Sequence, residues 1–169
     1  DYTLVLSQEQ PAPLLSVYGG KLTTYRKLAE SAMHQLKPFF HKLKPDWTAK
    51  ALLTGGENFF DETRLLDELQ QRIPEVPPLL AKRWIHGYGS RVWKMLNGCE
   101  SIAALGQHFG HGLYQQEVDY VVAQEWAVSS EDILKRRTKL YLKFSQDQIA
   151  QLDEYLVKLH KRRAQEKAA

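Results

Sequence analysis

"LLSVYGGKLTTYRKLAESAM" (residues 14–33) changes its periodicity halfway along. The first five residues form a nearly continuous apolar run, the pattern of a strand buried on both faces. Gly19-Gly20 ends that run. From Leu22 the apolar positions recur at helical spacing, through Tyr25, Leu28, Ala29, Ala32, Met33 and Leu36. A strand therefore turns into a helix across two glycines and a lysine. Upstream, "YTLVL" (2–6) alternates and is rich in β-formers, while "SQEQPAP" (7–13) is a polar loop with two prolines. The first 43 residues read as β-β-α.

Past Pro38, "KPDW" (44–47) and "TGGENFFDE" (54–62) mark a connecting region, and no further strand is predicted. Asp61 or Thr63 opens a helix bearing Leu65, Leu66, Leu69 and Ile73, which ends before Pro74. "PPLLAKRWIHGYG" (77–89) has proline at its start and glycine at its end. Ser90 is positioned to cap a short helix through Trp93 and Leu96, and "SIAALGQ" (101–107) reads as one more turn. "GLYQQEVDYVVAQEWAV" (112–128) reads as the longest helix, with Val118, Val121, Val122 and Trp126 on its apolar side. A further helix is predicted over "SSEDILKRRTKLYL" (129–142), with Ser129 three residues before Asp132. Ser145 and Gln148 make a capping box for the last helix, which carries Ile149, Leu152 and Leu156. The fold class is mainly α: a short β-β-α piece over residues 1–43, then a compact all-helical domain over residues 44–169.

The chain has 169 residues, enough for a sizeable core, and a formal net charge of +3. That charge is too small to imply nucleic acid, and no recognition motif accompanies it. Cys99 is alone, so an internal disulfide is excluded and a reducing compartment is expected. No run reaches the roughly 18 apolar residues of a spanning helix. The chain opens on a strand without a methionine, which reads as a cut through a larger protein.

The glycine pair has a chemical reading. Glycine lets a ligand approach bare backbone, and the free N–H groups of a helix's first turn carry partial positive charge. Lys21 adds a full charge, and Thr23 and Thr24 add hydroxyls. A phosphate, a carboxylate or a polar cofactor edge would suit such a turn, and so would a plain strand-to-helix connection. Neither Gly-x-x-x-x-Gly-Lys-Ser/Thr nor Gly-x-Gly-x-x-Gly occurs in the chain, so pattern alone leaves the ligand open.

The remaining candidates have structural readings. His108 and His111 lie near Glu117, but without a cysteine or a second histidine pair, so no metal site is expected. His111 is read as a hydrogen-bonding residue at a helix start. Glu117, Glu125 and Asp132 are expected to pair with Arg136 and Arg137 in an ion-pair network joining helices. Trp84, Trp93 and Trp126 are read as core. The basic stretches "KRRTK" (135–139) and "KLHKRRAQEK" (158–167) read as a solvated helix face or a contact with anionic lipid.

"SVYGGKLTTYRKLAE" resembles the C-terminal flavin-contacting segment of FAD-dependent glycerol-3-phosphate dehydrogenases. "FGHGLYQQEVDYVVAQEWAVSSEDILKRRTKLYL" resembles their C-terminal helical domain, and "DYTLVL" and "YGSR" fit the same alignment. The resemblance covers nearly the whole chain. It implies that residues 1–43 are the end of an FAD and substrate domain. It makes Gly19, Gly20, Lys21, Leu22 and Thr23 the FAD-contacting set, with Lys21 also facing substrate. The implied reaction oxidises glycerol 3-phosphate to dihydroxyacetone phosphate, with electrons passed through FAD to quinone. The implied partners are the protein's own N-terminal FAD domain, an anionic membrane surface and a second copy in a homodimer. The implied location is cytoplasmic, peripheral at the inner membrane face, and the chain alone is expected to be inactive without FAD. Two alternatives stand beside it: a glycerophosphate oxidase of the same family, and a non-enzymatic basic helical interaction module.

Overall fold

The computed structural model describes residues 2–8, 11–57 and 61–168. Residues 9 and 10 of the expected loop and 58–60 of the expected connecting region lie outside the described residues. The chain divides into two compact units, Asp1–Leu52 and Leu53–Ala169.

In the first unit, β1 (Tyr2–Ser7) pairs antiparallel with β2 (Leu14–Gly19), in a register that sets Tyr2 opposite Gly19 and Ser7 opposite Leu14. A turn of 3-10 helix over Leu22–Thr24 leads into α1 (Tyr25–Leu36). The Tyr2 hydroxyl and Ser31 Oγ lie 3.0 Å apart and tie the hairpin to the helix. Segment 44–48 goes with this unit, where Thr48 donates to Glu30 and Asp46 meets His34 Nε2 at 2.9 Å. β2 is not buried on both faces as its apolar run predicts. Leu14, Val17 and Tyr18 are exposed, because a two-stranded sheet with one helix beside it offers no second layer.

The second unit is helical around one core. Asp61 caps α2 (Glu62–Arg72), accepting from Thr63 N at 2.9 Å and Arg64 N at 3.4 Å. α3 (Pro78–Tyr88) has proline in its first turn, where a missing N–H costs nothing, and Gly89 just past its end. α4 (Val92–Met95) follows a 3-10 turn that contains Ser90. The Ser90 hydroxyl donates to Glu57 instead of capping the helix. Leu69, Ile73, Trp84, Ile85, Val92 and Met95 from these elements are almost fully buried.

Two strands after residue 100 depart from the prediction. β3 (His108–Gly110) and β4 (Leu113–Tyr114) form an antiparallel hairpin with an irregular register. Its corner needs left-handed backbone at three successive residues, Gly110, His111 and Gly112, so the glycine spacing carried a turn rather than a helix start. α5 accordingly begins late, as Gln115–Gln124, and the longest helix among the described residues is α6 (Gln146–Ala168). Asp132–Arg137 is π-helical, opened by the predicted reciprocal pair: Ser129 N donates to Asp132 at 3.0 Å and Asp132 N to Ser129 Oγ at 3.2 Å. Ser145 and Gln148 make the same exchange before α6, at 3.0 and 3.3 Å.

Trp84 is core and Trp93 is half-buried, but Trp126 is 88% exposed. α5 stops at Gln124, and Ala127 N closes back six residues onto Val121 O at 3.3 Å. The chain doubles back there through Trp126, which takes left-handed backbone with φ +59° just past the helix end, where glycine is usual. Ala127 takes the buried place and the indole is turned outward.

Two glycine-related substitutions should move stability in opposite directions. Gly89 has φ +56°, and a Cβ there would collide with the backbone oxygen of Gly55, which accepts from Ser90 N at 2.8 Å. Gly89→Ala should therefore destabilise the chain by more than about 2 kcal/mol. Trp126→Gly should stabilise it by about 0.5–1 kcal/mol, since relief of left-handed strain exceeds the added freedom of the unfolded chain. Urea titration checks both, and an unchanged midpoint for Gly89→Ala would contradict the packing of Gly55 against the end of α3.

Candidate functional site

The turn singled out by the sequence is open. Gly19 and Gly20 both take left-handed φ, +76° and +123°, as the turn from strand to helix requires. Lys21 is extended, and Thr24 Oγ1 donates to Lys21 O at 3.1 Å, closing the first turn on itself. No side chain caps α1. Lys21, Leu22 and Thr23 are all exposed, Leu22 to 91%, so the five predicted contact residues stand side by side on the surface of the first unit. Such a turn can hold an anion or an electron-rich ring edge by N–H groups, the positive end of a helix and one ammonium.

One turn further along α1, Glu30 is buried and accepts from Arg26 Nη1 at 2.8 Å, from Lys27 Nζ at 3.0 Å and from the Thr48 hydroxyl. The Thr48 hydrogen bond, the Lys27 hydrogen bond and the nearby positive charges lower its pKa to about 2. Glu30 therefore fixes the segment after α1 and is held as an acceptor, not as a proton donor.

The second candidate set divides in two. Arg136 Nη1 meets Asp132 at 2.8 Å, and Arg137 Nε lies 3.8 Å from the Glu125 carboxylate. Arg137 also donates through Nε and Nη2 to Glu125 O at 3.0 and 2.7 Å, placing a cation on the last carbonyls of α5. Burial raises the Glu125 pKa. Asp132 accepts from the backbone N–H groups of Val128 and Ser129, from the Ser129 hydroxyl and from Arg136, and its pKa is lowered to about 2.

Glu117 does not join this group. It is fully buried and accepts from Arg83 Nη1 and Nη2, both at 2.6 Å, from Trp84 Nε1 at 2.9 Å and from the Tyr88 hydroxyl at 2.7 Å. Arg83 Nη2 also donates to Gly112 O at 2.9 Å. Burial and then the Glu117 charge push the Tyr88 phenol well above its ordinary pKa, so it stays a donor. Burial works against the charge of Arg83, but the Glu117 hydrogen bonds and charge prevail and its pKa is raised. This is a structural anchor. Its donors lie about 30 residues away, and the sequence signal for them was the Arg83-Trp84 pair with Tyr88 one turn on, all on one helix.

His108 and His111 lie on the hairpin and not at a helix start. His108 Nε2 accepts from Gly112 N at 3.1 Å, and the His111 ring lies against Phe144 with centroids 5.5 Å apart. Among the described residues no group of three or more His, Cys, Asp or Glu side chains converges as a metal site would require.

A family model describing the C-terminal domain of α-glycerophosphate oxidase matches residues 47–165. The glycerol-3-phosphate dehydrogenase of Pseudomonas aeruginosa is 52% identical over 100% of this chain and 33% of its own length. The aerobic glycerol-3-phosphate dehydrogenase of Escherichia coli is 39% identical over 96% of the chain and 33% of its own length. The D-erythritol 1-phosphate dehydrogenase of Brucella abortus is 42% identical over 92% and 31%. The chain thus spans about a third of the length of the relatives it matches.

Asp132 supplies a prediction in acid. Its folded-state pKa is depressed from 3.8, so its contribution is fully present above that value and is lost as the pH falls toward about 2. Asp132→Asn should lower stability at pH 6 and flatten the fall in melting temperature between pH 4 and 2. Equal acid slopes for the parent and the variant would contradict the role given to the Ser129–Asp132 pair.

Proposed function

The chain belongs to the family of glycerol-3-phosphate dehydrogenases and α-glycerophosphate oxidases, and we infer that it is the C-terminal part of a flavoenzyme acting on a polyol phosphate. Glycerol 3-phosphate is the substrate we assign, with dihydroxyacetone phosphate as product and quinone as electron acceptor. The observation that carries this reading is the extent of the similarity. The match to the Pseudomonas aeruginosa dehydrogenase takes in the whole chain, glycine turn and helical unit together. The Brucella abortus relative, named for a longer polyol phosphate, supports the substrate class.

FAD would supply the two-electron acceptor for this oxidation. The residues present fit its ring edge: two left-handed glycines keep side chains away, and Lys21, Leu22 and Thr23 are exposed beside an uncapped helix start. In this reading Lys21 and the N–H groups of the turn set a positive potential before any negative charge develops against them. The exposed apolar residues of β1 and β2, among them Val5, Leu14, Val17 and Tyr18, support the same view. A two-stranded sheet is marginal by itself, and these residues are what the remainder of an FAD domain would cover. By itself the chain is read as inactive, since no Gly-x-Gly-x-x-Gly segment is present to seat a dinucleotide.

The helical unit contributes the basic end of α6. Lys158, Lys161, Arg162 and Arg163 follow one another there, and Lys158, Lys161 and Arg162 are exposed. We assign this end to an anionic membrane surface at the cytoplasmic face, where each basic residue near the lipid gains about 1 kcal/mol. No helix among the described residues is long and apolar enough to cross a membrane.

Lys21→Met in the intact enzyme tests the turn. An ammonium is worth more to an anionic partner than to a neutral one, so the substitution should lower the flavin reduction potential by about 30–65 mV. Lys21→Arg should restore only part of the difference, because a planar guanidinium does not replace a compact charge. Spectroelectrochemical titration measures the potential. An unchanged potential with a raised KM would give Lys21 to the substrate phosphate, and no change in either would remove it from the site.

A further inference from the structure

We propose that the helical unit carries a binding site for a small phosphate-bearing anion, between the start of α3, the β3–β4 hairpin and the Leu140–Lys143 segment. The cavity there holds about 370 Å3, at the small end of the range for ligand sites. Its polar side chains are Arg83, His108, His111, Tyr114 and Lys143, and the rest of the wall is Gly112, one proline and three leucines. No carboxylate and no amide side chain lines it. The cavity is a collection of donors that lacks a dedicated acceptor.

Two details show that these donors are left over after the fold has used what it needs. Arg83 Nη1 and Nη2 are taken by Glu117 and Gly112 O, yet the buried Nε has no hydrogen-bond partner among the described residues. An orphaned buried donor costs about 1–3 kcal/mol, so this guanidinium is not fully matched by the fold around it. His108 Nε2 accepts from a backbone N–H, so its ring proton sits on Nδ1 and that nitrogen is a donor. Glu117 balances the charge of Arg83, so Arg83 brings no surplus charge to the wall. The surplus comes from Lys143, which is exposed and forms no ion pair among the described residues.

The arrangement favours phosphate over a carboxylate. The donors come from a helix, a hairpin and a separate turn, so they converge from several directions. A tetrahedral anion offers acceptor oxygens in as many directions, while a carboxylate offers its lone pairs in one plane. The site does not rest on the activity proposed above, and it stands or falls separately.

The test uses the 169-residue chain, with calorimetric and 31P titration by inorganic phosphate at constant ionic strength. A second arm measures flotation with phosphatidylglycerol-containing vesicles against pure phosphatidylcholine vesicles. Lys143→Glu and His111→Asn are the variants: the first is on the surface, and the second keeps a residue type that tolerates the left-handed backbone at His111. Saturable phosphate binding that Lys143→Glu weakens at least tenfold, and His111→Asn several-fold, at an unchanged urea midpoint, supports a free phosphate ligand. Vesicle binding lost in the same two variants, without free phosphate binding, supports a lipid headgroup as the source of the same chemistry. Binding to neither probe overturns the site, and so does binding that both variants leave intact.

Discussion

A carboxylate with no access to water organises the helical unit. Glu117 sits on α5 in an apolar core, where an unpaired charge would cost several kcal/mol. Four donor groups meet it, all from α3: both terminal nitrogens of Arg83, the Trp84 indole and the Tyr88 phenol. The spacing of 83, 84 and 88 brings these side chains to one side of that helix. The second bond of Arg83 Nη2, to Gly112 O, pulls in the hairpin corner as well. α3 is thus held at one point to α5 and to the hairpin that leads into it, by a charged network with fixed geometry that apolar packing alone does not specify.

The network reaches further through aromatic residues. The Tyr88 ring packs edge-on against Tyr120, with centroids 5.4 Å apart, and the Tyr120 hydroxyl accepts from Arg91 Nε at 2.6 Å. Arg91 and Lys94 both donate to Gln124, at the last residue of α5. α3 and the turn and short helix that follow it are therefore tied to α5 at both the Glu117 and the Gln124 ends, while Arg83 Nε has no partner among the described residues. The first unit is built differently. Among its described residues the buried charge is Glu30, which fixes the segment that follows α1, while Leu14, Val17 and Tyr18 of its sheet and the residues of its glycine turn are exposed.

Local chemistry was legible in the sequence. Asp61, Ser129 with Asp132, and Ser145 with Gln148 all cap as their spacing predicts, because a cap is decided within four residues. The strand, glycine turn and helix of residues 14–36 were legible for the same reason. Contacts across the chain were not. Glu117 was grouped with Arg136 and Arg137, which are near in sequence, while its true partner lies 34 residues back. Trp126 was placed in the core by periodicity, but a cap closure one turn earlier moved it out of register. The β3–β4 hairpin was too short for strand periodicity to register. Lys21, Leu22 and Thr23 are exposed, and the flavin contact proposed for them rests on similarity and not on spacing.

A double-mutant cycle between Arg83 and Glu117 tests the anchor directly. Arg83→Met and Glu117→Gln, singly and together, are followed by urea denaturation of the chain. Each single change leaves the other partner buried and unmatched, so each should cost about 3–5 kcal/mol, and the double variant should cost less than their sum by about 2–3 kcal/mol. Additive losses of under about 1 kcal/mol each, as an exposed ion pair gives, would contradict the central place given to Glu117.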